Sequence, residues 1–153
     1  MRGLKIWAVL VFCLGAAALA GCGKTDLSRP PKIFYGRDVC ARCRMIIEDQ
    51  RFACAAVSAD GRFQKFDDIG CLAAYKNSSE ERALRSWVRD AGADVWIGTE
   101  EAHFVHSRDL ATPMGYGLAA FAAGENARRF AKEKTGRVLH WNEWLDLTKE
   151  EAK

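Results

Sequence analysis

Cys40-Ala41-Arg42-Cys43-Arg44-Met45 places two thiols and a thioether within six residues. Soft sulfur donors at this density select a soft cation, and Cu(I) is the ion that accepts a thioether as readily as a thiolate. With Cys43 at the start of a strand, Cys43 and Met45 would project from one face, so that their sulfurs could converge on one atom. Other uses of a C-x-x-C pair stay open. A structural zinc site needs four ligands, and the sequence holds no second such pair. A thioredoxin-like redox site sets the motif at a helix N-terminus in a βαβ frame, whereas here an alternating stretch follows it. Covalent haem needs His after the second Cys, and residue 44 is Arg. A disulfide between Cys40 and Cys43 is the plainest alternative.

A second segment, Thr112-Pro113-Met114-Gly115-Tyr116-Gly117, sets a Met in a Gly/Pro-rich loop. Met usually fills cores. Turns lie on the surface, which leaves Met114 a ligand or a partner contact. His103 and His106 flank a strand just before this loop. Three apart on a strand they point to opposite faces, so one of them could supply a fourth ligand to a site shared between two lobes. Cys71 follows Asp67-Asp68 and reads equally as a buried small side chain or a ligand, and Cys54 reads as core. Asp67 and Asp68 read as helix caps, because carboxylate oxygen suits Cu(I) poorly.

The elements that must position these groups begin after a leader. Residues 1–21 carry Arg2 and Lys5, an apolar run from Ile6 to Ala20, and small residues up to Cys22, which is the pattern of a secretory signal. The run is too short to span a bilayer as a helix. Its Leu19-Ala20-Gly21-Cys22 ending resembles the bacterial lipobox, which makes Cys22 the lipidated N-terminus of the mature chain and residues 22–32 a tether. Cys13 leaves with the signal, so Cys40, Cys43, Cys54 and Cys71 remain, too few for a disulfide-built scaffold. From Arg44 to Phe66 the alternation predicts an antiparallel meander turned at Asp60-Gly61. A helix follows over Ile69–Lys76. Residues 80–90 fit a helix or a strand. Strands are expected over 95–97, 102–106, 118–122 and 138–140, with helices over 125–134 and 141–147. The outline suggests a tandem α+β arrangement over 33–148, with lobes of about 39–91 and 92–148. Lys and Arg number 23 against 20 Asp and Glu, with Arg2 and Lys5 lost in the leader. A near-neutral chain without a basic run excludes nucleic acid as a partner.

Taken in order behind the lipobox, Cys40-x-x-Cys43-x-Met45 with Ile46-Ile47, Phe66-Asp67-Asp68-Ile69-Gly70-Cys71 and Thr112-Pro113-Met114-Gly115-Tyr116-Gly117-Leu118 resemble the NosL family of accessory lipoproteins of nitrous oxide reductase maturation. The resemblance implies two similar ββαβ lobes, with 85–90 closing the first, and a periplasmic Cu(I) chaperone with no catalytic activity. It implies partners as well: the lipid membrane, nitrous oxide reductase and its membrane transporter assembly complex. Carried over by position, Cys43 and Met45 match the family's metal motif, Met114 its second-lobe methionine, and Cys40 completes the C-x-x-C. The competing reading is an extracytoplasmic thiol oxidoreductase using Cys40 and Cys43, for which Met45 and Met114 have no use. Gly23 rather than Asp after Cys22 favours the outer membrane.

Overall fold

The computed structural model describes residues 26–78 and 83–151. The leader and Cys22 lie outside them. The first lobe runs β1 (Cys54–Ser58), β2 (Phe63–Phe66), α1 (Ile69–Ser78), β3 (Ala83–Arg89) and β4 (Trp96–Gly98), and the second β5 (His103–His106), β6 (Leu118–Phe121), α2 (Gly124–Glu133), β7 (Arg137–Leu139) and α3 (Trp141–Glu151). Each lobe thus holds a ββαβ unit. The sheets repeat one topology, β2-β1-β3 and β6-β5-β7, all antiparallel, and β4 extends the first along the free edge of β3. The strand expected over 95–97 therefore belongs to the first sheet, so that sheet continues past residue 91.

The hairpin turns where expected, with Gly61 at φ 81° and the Ser58 N–H on the Arg62 carbonyl at 3.0 Å. A left-handed turn residue costs least as Gly, which explains the Asp60-Gly61 pair. β1 is the central strand, buried at every position. Cys54 and Ala56 face the main core beneath α1, whereas Ala55 and Val57 pack with Trp87 on the other face. The ambiguous 80–90 stretch is a strand because β1 offers Trp87 and Val88 partners at Ala55 and Cys54.

One core crosses both lobes, joining Phe66, Ile69, Leu72 and Val88 to Phe104, Leu118, Trp141 and Trp144. α3, longer than the short helical turn expected after Trp141, lays both its Trp residues into this core and packs on α1. At the seam the Ala91 N–H meets the Ala120 carbonyl at 2.8 Å, and Asp90 Oδ2 accepts from the Ala122 N–H at 2.7 Å. No helix among the described residues is long and apolar enough to cross a membrane.

Candidate metal centre

Residues 38–47 form a short finger rather than the strand expected from Arg44. The Cys40 N–H bonds to the Met45 carbonyl at 2.8 Å, the Ile47 N–H to the Asp38 carbonyl at 2.9 Å, and Val39 bridges Ile46. Arg44, at φ 69°, turns the tip, and the Arg44 N–H closes on the Cys40 carbonyl at 3.1 Å. The finger is seated on β2 by the Ala41 N–H on the Lys65 carbonyl at 2.8 Å. The left-handed residue between them breaks the alternation that would have put Cys43 and Met45 on one face. Cys43 is half-buried, whereas Met45 is 59% exposed.

The turn brings its two thiols against the N-terminus of α1. The ligand atoms of Cys40, Cys43, Asp67 and Cys71 all lie within 4.8 Å of one another. Metal–thiolate bonds of about 2.3 Å hold ligand sulfurs roughly 4 Å apart, so small side-chain rotations suffice to close the group on an ion. Cys40 and Cys71 are buried and Cys43 forms the outer side of the group. All four described cysteines are free thiols. Cys54, buried, donates to the Asp68 carbonyl at 3.3 Å and belongs to the core, as its alternation indicated.

The paired aspartates divide their roles. Asp68 caps α1, its Oδ1 accepting from the Gly70 N–H at 2.8 Å. Asp67 is buried and its Oδ1 accepts from the Cys43 thiol at 3.3 Å. It is no cap, contrary to the expectation from sequence, but a neighbour that orients Cys43. A hydrogen bond from Cys71 stabilises the Cys40 thiolate, holding Cys40 down at about 6. Cys71, as the donor of that bond, is pushed up. Burial raises the Cys43 thiol to about 11. Of the three thiols, ionisation is thus favoured at Cys40 and opposed at Cys43 and Cys71.

The second lobe reaches this site through the loop before β6. Asp68 Oδ2 accepts from the Met114 N–H at 2.9 Å, and the Thr112 hydroxyl supports the same carboxylate. Gly70 lets the loop close in: a Cβ there would lie 1.9 Å from the Tyr116 ring. Met114 is 41% exposed. One buried carboxylate therefore ties the helix that carries Cys71 to the loop that carries Met114.

Neither histidine enters the group. The His103 ring packs 5.8 Å from that of His140, near Gly124 at the start of α2, and the His106 ring lies 5.1 Å from Trp144 on the α3 side. They leave β5 on opposite faces, as their spacing required. The role missed in sequence is that of Asp67, read there only as a cap, whereas for Cys71 the sequence left a ligand and a buried side chain equally open.

The NosL family model matches residues 31–150. The copper-binding lipoprotein NosL of Stutzerimonas stutzeri is 30% identical over 147 residues, covering 88% of this chain and 77% of that protein. The crystal structure of the copper chaperone NosL from Shewanella denitrificans superposes with a TM-score of 0.64 at 19% identity, covering 74% of this chain and 96% of that one.

Proposed function

This chain belongs to the NosL family, and from that membership we propose that it is an extracytoplasmic Cu(I) carrier, with no reaction of its own, that passes copper toward the copper centre of nitrous oxide reductase through a membrane transporter complex. The observation that carries the reading is the graded sulfur site. Cys40 and Cys71 lie buried within 4.8 Å of Cys43, while Met45 on the finger and Met114 on the second-lobe loop are exposed. The proposed ligands are Cys43, Met45 and Met114, with Cys40 behind them. Thiolate supplies affinity and charge. Thioether supplies a neutral soft donor that an incoming ligand displaces at little cost. An exposed low-coordinate site adds the acceptor's sulfur before it releases its own, so copper is never free. Asp67, a hard oxygen donor, serves by orienting Cys43 rather than by binding the ion.

The test is a Cu(I) titration of the reduced protein against a Cu(I)-specific chelator, with zinc as competitor. Cu(I) is expected to bind tighter by orders of magnitude, and equal or tighter zinc binding sinks the carrier. Repeated across pH, the titration carries a sign. Cys43, held up at about 11, must lose a proton to bind, whereas Cys40, at about 6, is already ionised at neutrality. Affinity should rise about tenfold per pH unit between roughly pH 7 and 10, one proton leaving per ion. Below about 6 the dependence should steepen, because Cys40 must then also give up its proton. A flat profile contradicts thiol ligation.

The proposed location is the periplasmic face of a bacterial membrane, held by lipid on Cys22, with the outer membrane favoured by Gly23. Cys22→Ser should abolish palmitate labelling and release the protein from the membrane fraction. Undiminished labelling refutes the anchor.

A further inference from the structure

We propose that the outer face of the 38–47 finger is the docking surface for the protein that receives the metal, and that this partner presents carboxylates around an apolar, sulfur-bearing contact. The inference rests on the carrier reading and adds the chemistry of the acceptor. Val39, Met45 and Ile46 are large apolar side chains 48%, 59% and 50% exposed on ten residues of chain. Val39 and Ile46 stand opposite each other in the bridge, so they share a side. Apolar side chains gathered on one exposed element mark an interaction site rather than scattered surface.

Charge selects the partner. Arg42 and Arg44 are exposed on the finger and Arg37 just before it, and none of the three forms an ion pair among the described residues. Lys65, Arg51 and Arg62, by contrast, are each paired, with Asp38, Asp49 and Asp60. The carboxylates at the base of the finger are Asp38, already held by Lys65 at 2.7 Å, and Glu48. Arg42 also edges a cleft of about 320 Å³ whose walls are Tyr116, Gly70 and Ala74, beside the helix turn that carries Cys71. An acidic segment entering there would meet Arg42 at the edge of the cleft. Unpaired charge around an apolar centre steers encounter and fixes register, while the apolar contact holds the complex. An anionic lipid surface would also attract this face. It brings no soft ligand, however, and would cover the thioethers that must stay open for exchange, so the geometry favours a protein.

Copper transfer to two synthetic peptides decides the matter. Both carry the same cysteine and methionines, flanked in one by Glu and in the other by Lys. The copper-loaded protein should deliver to the acidic peptide about tenfold faster at low salt, and the preference should shrink at high salt as screening shortens to a few ångströms. The variant R37E/R42E/R44E, loaded to the same copper content as the wild type, should reverse the preference, with circular dichroism unchanged. Val39→Ser with Ile46→Ser should slow transfer to both peptides at unchanged affinity. Equal rates for the two peptides, or a charge-reversed variant that keeps the wild-type preference, overturns the inference while leaving the carrier intact. Arginine-dependent binding to phosphatidylglycerol vesicles with no peptide preference assigns the face to the membrane and also overturns it. Failure of the wild type to bind Cu(I) removes the carrier reading and this inference with it.

Discussion

Cys43→Ser is expected to lower Cu(I) affinity by more than about 100-fold, a loss beyond about 2.7 kcal/mol. Cys43 stands at the junction of the site. Its sulfur lies within 4.8 Å of those of Cys40 and Cys71, and it is the partly exposed thiol of the three. It is the anionic member of the proposed Cys43, Met45 and Met114 set, and a serine hydroxyl replaces its thiolate with a neutral, hard donor. Asp67 would keep a hydrogen-bond partner in the serine, so the turn should hold its shape and stability should move by no more than about 1 kcal/mol. Competition with a Cu(I) chelator measures the first effect and a thermal melt the second. An affinity within about threefold of wild type would remove Cys43 from the metal.

Asp68→Ala is expected to have the largest effect on stability and to weaken copper binding at a distance. Its carboxylate is fully buried, with the Gly70 N–H on one oxygen at 2.8 Å and the Met114 N–H on the other at 2.9 Å. Removal takes the cap from α1, about 1 kcal/mol. It also strips both N–H groups of their acceptor, and a buried unsatisfied donor costs about 1–3 kcal/mol. A total near 3 kcal/mol should lower the melting temperature by roughly 10 °C. Released from Asp68, the 112–117 loop no longer holds Met114 over the helix, and affinity should fall to that of Met114→Ala. Met114→Ala itself should cost about tenfold in affinity with stability within about 0.5 kcal/mol, because the side chain is exposed. The double variant should bind no more weakly than Asp68→Ala alone, since both changes remove one interaction. Additive losses would mean that Met114 reaches copper without Asp68, or that Asp68 acts through the helix cap only. Asp68→Asn keeps one oxygen acceptor and should fall between.

What could be read without coordinates was local. The hairpin at Asp60-Gly61 follows from the φ that Gly61 adopts, the start of α1 from the capping oxygen of Asp68, and the sulfur chemistry from donor softness, which depends on residue type alone. The ββαβ order required the family resemblance, because Ala83–Arg89 satisfies a helical face as well as a strand until β1 is there to pair with it.

The centre itself was decided by tertiary structure. Cys43 and Met45 lie two apart in a row that reads as a strand, and only the left-handed Arg44 turns one inward and the other out. Cys71 and Asp67 join the group although 31 and 24 residues separate them from Cys40 and Cys43, because α1 docks its first turn on the finger. Met114 arrives from the other lobe through a hydrogen bond that spans 46 residues. Residue type determined which metal chemistry the chain could support. Which sulfurs meet was settled by burial of the shared core, since packing both lobes on one set of apolar side chains is what carries α1, the finger and the methionine loop to the same place.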